Sequence, residues 1–381
     1  MKIAVCTLAG SPEDVTVWSG TPAHFVQGLR SAGAEVISIG PLYRMAYQLL
    51  NKVSGASGRL GRKLNWETEP LALRMFTRAL DAQLDRIRPD VVILMGWFPL
   101  NSRSEIPMIY WGDATIGQRI DLAPHWSNLS ARTRTQAQHI EAKCLGSLAG
   151  TFWASKWAQN DAINRYGLTN THCVPFASNL EDPLAVPRGS AQVRPTQLLA
   201  VGVKWHRKGM DRAVAAADNL VAQGLDVHLD VVGVHPPDNT WLRAHVTYHG
   251  RLRKDRPTDV QKLHSLYTKA DIFVLPTRNE PFGIVFQEAA AYALPSVAAK
   301  IGGVPEIIEH GVTGLTLEED ASTADYALAI STIIKDKSIY ATMSRSARTR
   351  YEEHFTWARC GQRVMGLVEN MMSLARGSGS S

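Results

Sequence analysis

At 381 residues, with 45% hydrophobic and 20% charged side chains, the chain exceeds what one hydrophobic core usually supports and reads as an ordinary globular protein of two domains. No apolar run approaches the roughly 20 residues needed to cross a bilayer, and Met1-Lys2-Ile3-Ala4-Val5-Cys6 reads as a first strand, not a secretory leader. The formal charge of +6 suits anionic partners, but with no helix-turn-helix, zinc-finger or RNP-like signature, nucleic acid is not expected; phosphates of a small ligand or a membrane surface account for it at least as well.

Apolar runs of strand length alternate with helical patterns along the whole chain. In the first half, strands are expected over 3–8, 35–39, 91–95, 108–110, 151–154 and 171–174, with helices over 22–32 and 71–87. The second half repeats the plan, with strands over 197–201, 227–232, 246–248, 272–275 and 296–298 and helices over 210–223, 259–267 and 283–292. Strands separated by helices imply βαβ units and parallel sheets, and short continuous apolar strands are expected where helices cover both sheet faces. The polar, Pro- and Gly-bearing stretch beginning Asn179-Leu180-Glu181-Asp182-Pro183 reads as an interdomain linker over 179–196, leaving domains at 1–178 and 197–355. The fold class is therefore α/β, two Rossmann-like parallel-sheet domains facing across a cleft, with the tail from Arg376 flexible.

Four cysteines, Cys6, Cys144, Cys173 and Cys360, form no CxxC pair and no His/Cys ligand spacing, which fits a reducing cytoplasm and points to no structural zinc. Over 41–70, Tyr43, Tyr47, Leu49, Leu50 and Trp66 mix with Arg44, Lys52, Arg59, Arg62 and Lys63. Such a mixture can form a peripheral contact at the inner face of a membrane. Its glycines break a sustained amphipathic face, which favours a helix and loop packing its apolar side on its own domain.

In the first half, Trp18-Ser19-Gly20-Thr21-Pro22 follows a strand and opens a helix, with Pro22 suited to its first turn and Ser19 or Thr21 available as N-cap. Asp113, just after the strand over 108–110, is either a contact for an acceptor hydroxyl or a helix cap. The second half carries the stronger signal. Thr277-Arg278-Asn279-Glu280-Pro281-Phe282-Gly283-Ile284 follows the strand over 272–275 directly and turns into an alanine-rich helix. The amides of Phe282, Gly283 and Ile284 would form an anion site with the helix dipole behind it. Glu280 and Glu288 flank that turn, and carboxylates accept hydrogen bonds strongly from sugar and ribose hydroxyls. Either glutamate alone would be an ordinary helix-end or solvated residue.

Their company changes the weighting. The Glu280-x7-Glu288 stretch resembles the signature of the retaining glycosyltransferases of family four, which have the GT-B fold, and four further motifs match in order. They are Ala200-Val201-Gly202-Val203-Lys204-Trp205-His206-Arg207-Lys208-Gly209, Val231-Val232-Gly233, Tyr248-His249-Gly250-Arg251-Leu252, and Gly302-Gly303-Val304-Pro305-Glu306 with His310-Gly311-Val312-Thr313-Gly314. The resemblance covers essentially all of 197–320. It implies that Lys208 binds the donor diphosphate, Glu288 the nucleotide ribose and Glu280 the transferred sugar, with Gly202 in the phosphate turn and Arg251 and Leu252 near the base. The family's arginine after the glycine is Val203 here, so Lys204 or Arg207 supplies the second positive charge. Ser19, Gly20 and Thr21 resemble the family's N-terminal glycine loop, with one glycine in place of two, and the final helix over 356–375 is implied to return to the N-terminal domain.

The implied activity is transfer of a hexosyl unit from a nucleoside-diphosphate sugar, a co-substrate, to a glycan, lipid-linked or small-molecule acceptor. No cofactor is implied, and without an Asp-x-Asp motif after a strand no metal is expected. A nicotinamide dehydrogenase would need a GxGxxG run that is missing. A nucleotide-sugar epimerase on the same fold and a non-catalytic membrane-surface or scaffold module remain the alternatives.

Overall fold

The computed structural model describes residues 1–59, 66–122, 131–185, 187 and 195–377. Arg62, Lys63, the linker residues 186 and 188–194 and the tail beyond 377 lie outside them. The chain divides into two compact units, one of Met1–Phe176 with Trp357–Ser381 and one of Ala177–Thr356.

The first unit contains β1 (Lys2–Cys6), α1 (Thr21–Ser31), β2 (Glu35–Ile39), α2 (Arg44–Arg59), α3 (Pro70–Ile87), β3 (Val91–Met95), β4 (Met108–Gly112), α4 (Ile116–Leu122), α5 (Ala131–Gly146), β5 (Gly150–Trp153), α6 (Lys156–Tyr166) and β6 (Thr171–Cys173). The second contains β7 (Thr196–Val201), α7 (Met210–Ala222), β8 (Val227–Val232), β9 (Val246–Gly250), α8 (Pro257–Lys269), β10 (Ile272–Leu275), α9 (Ile284–Ala291), β11 (Ser296–Ala299), α10 (Val304–Ile307), β12 (Gly314–Leu317), α11 (Thr323–Lys335) and α12 (Lys337–His354). α13 (Trp357–Gly377) then returns to the first unit.

Each unit is built on a six-stranded parallel sheet, in the orders β2-β1-β3-β4-β5-β6 and β12-β11-β10-β7-β8-β9. β3 and β10 are buried on both faces from end to end, which is why they read as unbroken apolar runs. The order reverses between β1 and β3 in the first sheet and between β7 and β10 in the second. At such a reversal the connections leave on opposite faces of the sheet, opening a crevice outside the carboxyl ends of the two strands.

α13 lies along α1, where two glycines bring the backbones together: a Cβ on Gly361 would stand 2.2 Å from the Gly28 carbonyl oxygen. Cys360, Val364 and Val368 form its buried side, with Met365, Leu367 and Met371 half-buried beside them. All four cysteines are free thiols. α2 packs Tyr47 and Leu50 on the core of its own unit, as expected, and runs helical through Gly55.

Candidate functional site

In the second unit two loops meet where the strand order reverses. The β7 loop ends at Gly209, the left-handed N-cap of α7 (φ 68°), and a Cβ there would lie 1.9 Å from the Pro276 carbonyl oxygen. Backbone therefore touches backbone between the β7 and β10 loops. The contact is laced by hydrogen bonds: Arg278 N–H donates to Arg207 O at 2.9 Å, Thr277 Oγ1 to the same oxygen at 3.0 Å, and Arg207 Nη1 to Asn279 O at 2.9 Å. Arg278 also forks onto Asp211 at 2.8 and 2.6 Å. Burial pushes the Asp211 carboxyl up, but the Arg278 hydrogen bonds and charge outweigh it and hold the group below its ordinary range.

This frame places Lys208, from one loop, against Glu280, from the other, and both are buried. A buried lysine is tolerated because the carboxylate neutralises it. One turn into α9, Glu288 is 2% exposed and fully engaged: Oε1 accepts from Lys254 Nζ at 2.6 Å and Oε2 from the Tyr267 hydroxyl at 3.1 Å. Burial, then the Glu288 charge, push the Tyr267 phenol far above its usual range, so it remains a donor. The result is two buried carboxylates, each with its own lysine, at the carboxyl ends of a parallel sheet.

The first unit has a cavity of about 330 Å³ at the carboxyl ends of β1, β3 and β4. Trp18, Trp97, Phe98 and Tyr110 supply its apolar walls, and Arg119 and Glu141 its charged ones. Trp18 is turned toward Gly96 by an unusual backbone: Trp18, Ser19 and Gly20 are all left-handed, at φ 45°, 58° and 91°. Two consecutive non-glycine residues in that region are strained, a feature that clusters at ligand sites. Glu141 Oε2 accepts from Ile116 N–H at 2.7 Å and from the Tyr166 hydroxyl at 2.6 Å. Burial pushes its carboxyl up to about 7, against the pull of those bonds and of Arg119.

That shift has a stability consequence. The folded state keeps a proton that the unfolded chain releases from pH 4.5 upward, so stability falls between pH 4.5 and about 7 and is level above. The fall is on the order of 3 kcal/mol for a shift of this size. Glu141→Gln removes it: the variant's melting temperature, measured against wild type at pH 5 and pH 8, should gain on wild type at the higher pH. An unchanged difference would show that Glu141 titrates normally.

The glycosyl transferases group 1 family model matches residues 195–336, the stretch that carries Lys208, Glu280 and Glu288. A glycogen synthase of Mycobacterium tuberculosis is 33% identical over 281 residues, covering 71% of this chain and 66% of that protein. A D-inositol 3-phosphate glycosyltransferase of Corynebacterium aurimucosum is 30% identical over 234 residues, 56% of this chain and 55% of that one. The chain belongs to the group 1 glycosyltransferase family. Among solved structures, sucrose-phosphate synthase from Thermosynechococcus elongatus is similar with a TM-score of 0.73 at 19% identity, covering 98% of this chain and 100% of that one. That likeness shows the GT-B fold. The matches take in 66% and 55% of the two curated relatives' lengths.

Several residues of this group 1 family member stand differently from expectation. α9 begins at Ile284 with Gly283 as its left-handed N-cap, so its leading amides are those of Gly283, Ile284 and Val285, one position later than expected; Phe282 is buried ahead of the cap. Gly303 N–H holds this turn by donating to Pro281 O at 2.9 Å. Of the two candidate cations, Arg207 is turned onto the Asn279 carbonyl, and Lys204 is the exposed one. Arg251 is exposed and Leu252 half-buried just past β9, but the loop's contact with Glu288 is made by Lys254. The α1 N-cap is Gly20, the last residue of the left-handed run, and not Ser19 or Thr21. Asp113 is not a cap either. Thr115 and Gln118 form a reciprocal box (Thr115 N–H to Gln118 Oε1 at 3.1 Å, Gln118 N–H to Thr115 Oγ1 at 3.0 Å), while Asp113 pairs with Arg119 at 3.1 Å.

Lys254, Tyr267 and Arg278 were not singled out by the sequence. Lys254 lies in Arg251-Leu252-Arg253-Lys254-Asp255-Arg256, and only the structure shows that Arg253 is taken by Asp255, at 2.9 and 2.5 Å, while Lys254 turns to Glu288.

Proposed function

We propose that the protein is a retaining hexosyltransferase that moves a sugar from a nucleoside diphosphate to an acceptor hydroxyl. The observation that carries this reading is the meeting of Lys208 with Glu280 and of Glu288 with Lys254 beside the β7–β10 reversal. A departing nucleoside diphosphate gains negative charge. Lys208 and the Ile284 and Val285 amides offer compensation fixed in advance, which is the form of electrostatic stabilisation that lowers barriers most. Glu280 then accepts from hydroxyls of the transferred sugar and Glu288 from the ribose, exchanging the lysines they hold in the free protein for substrate. In the retaining reading the acceptor attacks from the side the diphosphate leaves, and the leaving phosphate takes the acceptor proton, so no enzyme nucleophile and no metal are needed.

The acceptor is assigned to the cavity of the first unit, whose indole walls suit the apolar face of a sugar or polyol ring and whose Arg119 and Glu141 suit its hydroxyls. The family relatives include a glycogen synthase and an inositol-phosphate glycosyltransferase, so glycan and small-molecule acceptors are both within its range, and a lipid-linked one extends the same chemistry.

The reading is tested by thermal shift and calorimetry against a panel of nucleoside diphosphates and their sugars. One base should stabilise the protein, with the effect lost in Lys208→Ala and Glu288→Ala. Product analysis by NMR should show the donor's anomeric configuration kept. An inverted product sinks the mechanism, and no nucleotide binding sinks the transferase.

A further inference from the structure

The positive charge is not shared between the two units. Met1–Phe176 with Trp357–Ser381 carries 21 Lys and Arg against 14 Asp and Glu, a formal +7, whereas Ala177–Thr356 carries 20 against 21, a formal −1. The half that holds Lys208 and Glu288 is thus the nearly neutral one, and diphosphate binding there does not explain the basicity of the chain. Much of the excess lies in residues 44–78, with seven basic and two acidic side chains.

α2, which opens that stretch, has two unlike apolar faces. Tyr47, Leu50 and Ser54 point inward. Tyr47 packs edge-on against Trp66 at 5.3 Å, and Trp66 Nε1 donates to Asn51 Oδ1 at 3.1 Å. Met45, Leu49 and Val53, one helical turn apart from each other, form a second stripe on the opposite side, 85%, 63% and 46% exposed. Lys52 stands in that stripe and Arg44 beside it, both exposed. At the start of α3, Leu71 is 81% exposed, with Arg74 and Arg78 exposed along the following turns. A surface helix of a globular protein normally has one apolar stripe and buries it. This helix buries one and presents another, studded with cations.

That composition selects the occupant. A second copy of the same face would bring like charges together. An anionic lipid surface offers apolar depth for the methionine and leucine and phosphates for the basic groups. We propose that the first unit docks on an anionic bilayer through the outer side of α2, with Met45, Leu49 and Val53 entering the headgroup–acyl boundary and Arg44 and Lys52 against lipid phosphates. The contact is peripheral: among the described residues no helix is long and apolar enough to cross a membrane. The proposal stands apart from the donor reading, since it concerns the other unit and is measured without nucleotide.

The test is flotation of the full chain with phosphatidylcholine vesicles, with and without phosphatidylglycerol. Binding should require phosphatidylglycerol and weaken with added salt. The variant Met45→Ser/Leu49→Ser/Val53→Ser keeps every charge and should bind at least about ten-fold more weakly. Its melting temperature and circular dichroism, a check on the fold, should match wild type. Absence of binding to the anionic vesicles overturns the proposal, as does a triple variant that binds like wild type. Light scattering that shows a dimer broken by the triple variant, without vesicle binding, would assign the stripe to a second copy instead.

Discussion

Lys208→Ala should lower kcat/KM by about two to three orders of magnitude, the usual loss when one preorganised group facing developing charge is removed. Two effects combine in that number and can be separated. Lys208 and Glu280 are both buried and paired, so deleting the cation strands a carboxylate in a poorly solvated place. Breaking a buried pair from one side costs about 3–5 kcal/mol, whereas replacing both partners by neutral groups of similar shape is often close to neutral. Lys208→Met/Glu280→Gln should therefore recover most of the melting temperature lost in Lys208→Ala while remaining inactive. Thermal melts and kcat/KM on the two variants provide the comparison. If Lys208→Ala stays within about ten-fold of wild type, the lysine is structural and the charge compensation lies elsewhere.

How much of this site the sequence disclosed follows from where each residue sits. Lys208 and Glu280 are 72 positions apart; Glu280 drew notice in the loop that leaves the apolar strand β10, whereas Lys208 was singled out through the family resemblance alone. Such strands read as apolar runs, and the residues just after them stand at the mouth of the sheet. Glu288 was legible because helix periodicity sets its face. Its partners were not. Lys254 is one of four basic residues in a six-residue loop, and Tyr267 lies in a helix where a tyrosine reads as core.

The first unit was harder to read for a different reason. Glycines announce left-handed turns, but Trp18 and Ser19 adopt that conformation without being glycine, so the residues left both a glycine loop and a simple cap open, and the turn of Trp18 into the cavity was not legible. Asp113 drew notice as the acid at a strand end, whereas the groups that reach the cavity are Arg119, its partner, and Glu141, buried in α5 among aromatic side chains. α2 was judged from its glycines, while its length and outward stripe were set by the packing of Tyr47 and Leu50 beneath it.

The frame beneath Lys208 yields the second large effect. Gly209→Ala should destabilise the protein by about 3 kcal/mol or more and take activity with it, because two independent penalties fall on one methyl group. The residue has φ 68°, a conformation costing a side-chain-bearing residue about 1–2 kcal/mol. Its Cβ would also overlap the Pro276 carbonyl oxygen at 1.9 Å, and neither partner is a side chain that can rotate away. Relief requires the β7 and β10 loops to separate, which strains the bonds from Thr277 and Arg278 to Arg207 O and draws Glu280 away from Lys208.

Gly224 provides the control. It is also left-handed, at φ 78°, but nothing lies within 4 Å of its would-be Cβ. Gly224→Ala should therefore show the conformational cost alone, about 1–2 kcal/mol, and keep full activity. At roughly 2–4 °C per kcal/mol for a unit of this size, the two variants should differ by several degrees in melting temperature. Equal melts would mean that the loops move apart freely. The Lys208–Glu280 pair would then owe its geometry to substrate, and the claim that the free protein already holds this site in place would fail.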